Sequence, residues 1–105
     1  MSNDALDRLA ATITARRTAT LEDSYTKRLL DDPIKPAKKV GEEAVEVAIA
    51  AVAQDKTALI SETADLLYHL LVLLESREVT LEEVYQELER RMGEADQKQR
   101  KAASV

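Results

Sequence analysis

Two pairs of acidic residues lie within the most apolar stretches of this sequence, where unpaired carboxylates are costly to bury. Glu43 and Glu46 open one apolar run, and Glu62 and Asp65 open another. Both pairs have i, i+3 spacing, so on a helix the two members of each pair are neighbours and repel one another. A divalent cation held between two antiparallel helices is the simplest group that would pair all four carboxylates. The spacing therefore predicts a metal site at these four residues.

The metal that this donor set favours is a hard cation. Carboxylate oxygens select Mg²⁺ or Mn²⁺ over zinc, and the chain has no cysteine and only one histidine, His69. Mg²⁺ usually shares its coordination sphere with substrate phosphates, so a phosphorylated substrate is expected with it. From the residues alone, the alternative that the acids form solvated helix faces stays open. A di-iron bundle would need Glu-x-x-His pairs, which one histidine does not supply.

Basic and aromatic residues near the acids are candidates for substrate binding. Lys35, Lys38 and Lys39 come shortly before the first acidic pair, and His69 follows the second pair by one helical turn. Cations beside a bound polyphosphate would neutralise the charge that develops there. The lysines are therefore expected to bind substrate, with solvated lysines at a helix start as the alternative. His69 is expected to be either a satisfied core residue or a group that orients a carboxylate or contacts a phosphate, whereas Tyr25 is expected to pack.

Composition limits the class of protein. A chain of 105 residues with 45% hydrophobic residues is expected to form one domain with a modest core, and two glycines and two prolines leave few breakers for strands and turns. The net charge of −5 argues against nucleic acid or an anionic membrane as the partner. Residues 1–11 lack the apolar segment of a signal peptide. We therefore expect a soluble, cytoplasmic protein.

The helical periodicity of the chain predicts an all-α fold, a helical bundle of four to five helices. A capping box at Thr80–Glu83 predicts the start of the last helix, and Gly93 is expected to end it. The predicted domain spans residues 1–93, and residues 94–105 are expected to form a polar, frayed C-terminal tail. The predicted central elements are a turn through Tyr25–Leu30, a helix of about Ala37–Ala53 and a long helix of about Lys56–Ser76.

More apolar surface is predicted than one small domain covers. The helix Ala37–Ala53 is apolar almost all round beyond Glu46, which is typical of a central, buried element. The run Leu66–Leu74 presents leucine or valine in nearly every direction. We therefore expect at least a dimer, with this run and the last helix in the interface.

Three strings of residues carry a resemblance to a known family. They are Ser24-Tyr25-Thr26, then Lys39-Val40-Gly41-Glu42-Glu43-Ala44 with Glu46, then Glu62 and Asp65 followed by Tyr68–Leu74. With these strings the sequence resembles the phosphoribosyl-ATP pyrophosphohydrolases, which belong to the all-α nucleoside triphosphate pyrophosphatases. The resemblance implies a homodimer that hydrolyses the α–β phosphoanhydride of phosphoribosyl-ATP, the second step of histidine biosynthesis. It implies that the Mg²⁺ ligands are Glu43, Glu46, Glu62 and Asp65, with Glu42 as a further ligand or a water-orienting acid.

Two other functions fit the same residues. A house-cleaning pyrophosphatase would use the same metal site on unusual nucleoside triphosphates. A non-catalytic helical dimerisation module would show no response to Mg²⁺.

The segment between Leu30 and Lys39 departs from the family pattern, because Pro33 and Pro36 occupy a loop that is expected to contain glycine and to enter the helix without proline.

Overall fold

The computed structural model describes residues 4–20 and 24–103, and all regular secondary structure in these residues is helical. This confirms the prediction of an all-α fold with four to five helices. A 3-10 turn at Arg16–Thr18 follows the first helix. The five α-helices are α1 Ala5–Ala15, α2 Tyr25–Leu30, α3 Lys35–Ala53, α4 Lys56–Ser76 and α5 Leu81–Ala103.

Short side chains before α2, α3 and α4 fix where these helices begin. The hydroxyl oxygen of Ser24 accepts the Lys27 N–H at 3.1 Å at the start of α2, and Asp55 Oδ1 accepts the Ala58 N–H at 2.9 Å at the start of α4. Asp32 Oδ1 accepts the N–H groups of residues 34 and 35, at 2.9 and 2.8 Å. Pro36 lies in the first turn of α3, where its missing N–H is not needed. As a result α3 begins two residues earlier than the periodicity predicts.

The last helix begins as predicted but continues beyond its predicted end. The Thr80 N–H donates to Glu83 Oε1 at 2.8 Å and the Glu83 N–H donates to Thr80 Oγ1 at 3.1 Å, which confirms the capping box. The predicted stop at Gly93 is wrong, because α5 continues through Ala103. A helical glycine costs about 1 kcal/mol, which the ion pairs of Arg90 with Glu87 and Glu94 across this segment offset in part. Residues 104 and 105 of the predicted tail lie outside the described residues, and the boundary at residue 93 stays a prediction.

Helices α3 and α4 form an antiparallel hairpin, since only two residues connect them and they pack along each other. Helices α1 and α2 pack against α4. The buried core lies where these elements meet and consists of Ile13, Leu29, Leu71 and Val72. Among the described helices, α4 alone is long and apolar enough to meet a membrane-span criterion by length and composition. Because α4 supplies two of these core residues and carries acids, it is the core helix of the bundle.

The distribution of exposed apolar side chains differs from the prediction. Within the single chain, α3 is largely exposed beyond Glu46: Val52 is 86% exposed and Ile49 is 46% exposed, although Ala50 is buried. In the run Leu66–Leu74, by contrast, Leu71 and Val72 are buried in the core. The periodicity of an apolar run indicates that its side chains are buried against another element, but it does not specify which element. Within one chain, α3 packs mainly against α4.

Candidate metal and substrate site

Three acidic side chains converge between the two helices of the hairpin. Glu43 comes from α3, and Glu62 and Asp65 come from α4. Carboxylate oxygens of all three lie within 4.8 Å of one another. Glu43 is buried, Glu62 is half-buried and Asp65 is exposed. Oxygens this close can reach one cation at ligand distances of about 2.0–2.6 Å. The hairpin therefore brings together three of the four predicted metal ligands, which we call the carboxylate cluster.

The other two predicted acids, both on α3, lie at the edge of this cluster. Glu46 is exposed, but it is near enough to Glu62 for its carboxylate to raise the pKa of that residue. Glu42 is also exposed, and its Oε1 lies 3.6 Å from Lys39 Nζ. Glu46 thus borders the convergent oxygens, whereas Glu42 faces the lysines.

Glu62 has a buried carboxylate oxygen, Oε1, without a hydrogen-bond partner among the described residues. Burial raises the pKa of Glu62, and the carboxylates of Glu46, Asp65 and Glu43 raise it further. A bound cation would pair the buried oxygen and remove the mutual repulsion. An all-oxygen donor set of this kind fits a hard divalent cation such as Mg²⁺ or Mn²⁺.

The three predicted substrate-binding lysines lie on the first two turns of α3. Lys39 Nζ is 3.6 Å from Glu43 Oε2, so this lysine touches the carboxylate cluster directly. Desolvation alone would lower the pKa of Lys39, but Tyr25, Glu42 and Glu43 outweigh it and raise that pKa. All three lysines line one open cavity of about 390 Å³, whose wall consists of Asp32, Ile34, Lys35, Lys38, Lys39 and Glu42.

His69 lies on α4, one turn beyond Asp65, and is buried, with 8% of it exposed. Its Nδ1 is 2.9 Å from the backbone oxygen of Asp65, and its Nε2 is 3.5 Å from the hydroxyl of Tyr25. Both ring nitrogens therefore have partners within the protein. Tyr25 is only partly packed: it is 42% exposed, and its ring contacts that of His69 edge-on at a centroid distance of 6.3 Å. The one sequence signal for this residue was its place in the string Ser24-Tyr25-Thr26.

An all-α bundle that gathers three carboxylates beside a lysine-lined cavity has the parts expected of a helical enzyme that hydrolyses a phosphoanhydride. Comparison with known proteins narrows this class. A family model described as phosphoribosyl-ATP pyrophosphohydrolase matches residues 6–92. The chain belongs to this family.

Several curated relatives are named phosphoribosyl-ATP pyrophosphatase. Phosphoribosyl-ATP pyrophosphatase of Caulobacter vibrioides is 56% identical over 90 residues, which cover 86% of this chain and 84% of the relative. Phosphoribosyl-ATP pyrophosphatase 1 of Rhodopseudomonas palustris is 60% identical over 85 residues, covering 80% of this chain and 79% of the relative. Phosphoribosyl-ATP pyrophosphatase of Methylobacterium nodulans is 58% identical over 87 residues, which cover 82% of this chain and 78% of the relative. The family prediction is confirmed, and with it the prediction of a hydrolase of histidine biosynthesis rather than a non-catalytic module.

Proposed function

We propose that this chain hydrolyses phosphoribosyl-ATP at its α–β phosphoanhydride, in a Mg²⁺-dependent reaction that releases phosphoribosyl-AMP and pyrophosphate. The observation that carries the proposal is the convergence of Glu43, Glu62 and Asp65 around a buried carboxylate oxygen without a partner. Neither packing nor an ion pair accounts for that oxygen, whereas a divalent cation shared with a polyphosphate does.

The proposed metal ligands are Glu43, Glu46, Glu62 and Asp65, with Mn²⁺ able to replace Mg²⁺. Glu46 is included because its carboxylate raises the pKa of Glu62 and so belongs to the same group of repelling acids. When bound, the metal polarises phosphate oxygens and lowers the pKa of coordinated water. The four carboxylates would fix the position of this charge.

The lysines and Glu42 would act on the phosphate chain and on the attacking water. Lys39, which already touches the cluster, is proposed to neutralise the charge of the departing pyrophosphate. Lys35 and Lys38 line the same cavity and would hold the outer phosphates. Glu42 is proposed to orient the water. Attack of that water on the α-phosphorus forms one P–O bond and breaks the bridging P–O bond. The electron pair of the broken bond leaves with pyrophosphate and the proton lost by the water passes to solvent, so no covalent enzyme intermediate is needed.

The active protein is proposed to be a cytoplasmic homodimer. Val45, Ile49 and Val52 follow one face of α3, at 59%, 46% and 86% exposure. A second copy of the chain is the proposed cover for this face, since obligate interfaces resemble a protein core cut in half.

The test is to incubate phosphoribosyl-ATP with the protein and Mg²⁺, Mn²⁺ or EDTA and to identify products by phosphorus NMR. Pyrophosphate and phosphoribosyl-AMP should form with either metal and not with EDTA. Release of orthophosphate, or unchanged turnover in EDTA, would refute the proposal. Ordinary nucleoside triphosphates serve as the comparison, because turnover of these with equal kcat/KM would point to a house-cleaning pyrophosphatase. Glu89→Gln, which alters an exposed acid on α5, is the matched control for glutamine variants of the cluster.

A further inference from the structure

The first turn of α3 satisfies its own backbone donors. Asp32 Oδ1 accepts the N–H groups of residues 34 and 35, at 2.9 and 2.8 Å. The N–H groups of residues 37 and 38 both donate to the backbone oxygen of residue 34, at 3.1 and 3.2 Å, and the intervening proline has no N–H. The start of a helix can bind phosphate through free N–H groups, but in this turn they are occupied. Phosphate binding in the adjoining cavity therefore depends on where the lysine side chains lie.

The loop between α2 and α3, residues 31–34, contributes to two cavities. Asp32 and Ile34 belong to the wall of the cavity of about 390 Å³ that the three lysines line. A smaller cavity of about 150 Å³ lies between this loop and the end of α4, and it is lined by Leu30, Asp31, Asp32, Pro33, Ser76 and Arg77. A side chain at the end of α4 can therefore act on the loop without being part of the larger cavity.

Arg77 makes that contact. Its Nη2 donates a hydrogen bond to the backbone oxygen of Pro33 at 3.3 Å, across a sequence separation of 44 residues. The same peptide group carries the N–H of Ile34, which donates to Asp32 Oδ1. A peptide group is planar, so hydrogen bonds at its oxygen and at its N–H fix its orientation from both sides. Arg77 ties this peptide, which directly precedes α3, to the end of the core helix α4.

We propose that Arg77 is a positioning residue for phosphate binding, which fixes the 33–34 peptide and thereby the places of Lys35 and Lys38 in the larger cavity. The inference rests on the phosphate-binding role proposed for these lysines above. Binding groups that are held in place before the ligand arrives lose less entropy on binding. Glu43 lies eight residues beyond Lys35, about 12 Å along α3, so Arg77 should affect the affinity for phosphates more than the chemical step.

Arg77→Gln tests this inference, with inorganic tripolyphosphate and Mg²⁺ as the binding probe in calorimetry. The variant should bind the probe about three- to tenfold more weakly, the effect of one hydrogen bond. The KM for phosphoribosyl-ATP should rise by a similar factor, with kcat unchanged within about twofold. Arg100→Gln, which alters an exposed arginine of α5, is the matched control and should behave as the wild type. Unchanged affinity for the probe, or a fall in kcat without a rise in KM, would overturn the proposal.

Two further measurements separate positioning from direct attraction of phosphate by the Arg77 charge. In a protein that carries both Lys35→Met and Lys38→Met, Arg77→Gln should weaken probe binding by no more than about twofold, whereas losses that multiply would show that Arg77 acts without these lysines. The ratio of the dissociation constants of Arg77→Gln and wild type should be the same at low and high ionic strength. A ratio that approaches one in high salt would refute positioning, because salt screens a direct attraction between exposed charges.

Hydrogen exchange tests the loop itself, without substrate. The amides of Ile34 and Lys35, which donate to Asp32, should exchange faster in Arg77→Gln than in wild type and Arg100→Gln. Equal exchange would refute the positioning role. The two proposals fail differently. If the double lysine variant binds tripolyphosphate as tightly as the wild type, the phosphate-binding role of the lysines is wrong and this inference falls with it. If only the lysine variant loses affinity and Arg77→Gln does not, this inference alone is wrong.

Discussion

Glu62→Gln separates metal binding from folding at the centre of the carboxylate cluster. The substitution keeps the shape of the side chain and removes one of the charges that repel one another there. Because burial and neighbouring carboxylates raise the pKa of Glu62, its ionised form is unfavourable in the folded protein without metal. The melting temperature of the metal-free variant at neutral pH should therefore equal or exceed that of the wild type.

The response to Mg²⁺ should change in the opposite direction. Mg²⁺ at about 100 times its dissociation constant stabilises a one-site protein by about 2.7 kcal/mol. For a domain of this size, that corresponds to a rise in melting temperature of about 10–20 °C. Mutation of a residue that only supports a metal ligand typically weakens metal binding ~10–100-fold, so removal of a ligand itself should weaken binding by at least as much. With a 100-fold loss, the same Mg²⁺ concentration stabilises the variant by only about 0.4 kcal/mol, or about 2–3 °C.

The assay is differential scanning fluorimetry of wild type, Glu62→Gln and the control Glu89→Gln, each across a Mg²⁺ titration with and without nucleotide. The control should follow the wild type. A Glu62→Gln variant that melts well below the wild type without metal, yet keeps the full Mg²⁺ shift, would refute the metal assignment and make Glu62 a structural residue. A wild-type melting temperature that does not change with millimolar Mg²⁺ would also refute the metal assignment.

Three further predictions concern assembly and stability. Val52→Asp should convert the proposed dimer to a folded monomer in sedimentation at micromolar concentration, because Val52 is 86% exposed on the face assigned to the second copy; an unchanged dimer would place the interface elsewhere. Glu75→Gln should cost about 1 kcal/mol in urea unfolding at pH 7, since Glu75 accepts hydrogen bonds from Thr14 and Arg17. Burial would raise the pKa of Glu75 but these partners lower it below 4.5, so the loss should shrink as pH falls below 4.5, and an equal loss at pH 3 would contradict the reasoning. Gly93→Ala should stabilise α5 by up to about 1 kcal/mol, because a methyl group there meets open space; destabilisation would contradict a helical Gly93.

Local signals in the sequence were enough to place most helices. Asp55 caps α4 and Thr80 caps α5 through hydrogen bonds to residues three positions on, so their starts can be read without knowing the tertiary structure. The two-residue connection between α3 and α4 then requires a hairpin, which places the acidic pairs of the two helices at a similar level along the bundle. The end of α5 could not be read in this way, because Gly93 is a stop only if it adopts a left-handed conformation, which it does not.

The parts of the site that escaped prediction depend on contacts between residues far apart in sequence. Tyr25 and His69 are 44 residues apart, and no periodicity links them. Similarly, four acids with matching spacing do not specify that Glu46 stays exposed at the edge while Glu43 is buried. That difference follows from how α3 is rotated against α4, which side-chain packing along the whole hairpin determines.

Helix α4 shows how the fold can accommodate an acidic site. Glu62, Asp65, His69 and Val72 follow one stripe at i, i+3, i+7 and i+10. The first two carry charge that opposes folding, whereas Val72, fully buried, belongs to the core. His69 lies between the two halves and hydrogen-bonds back to Asp65. Because the core lies toward one end of α4 and the acids toward the other, substitutions at the acids should alter ligand binding much more than they alter the stability of the bundle.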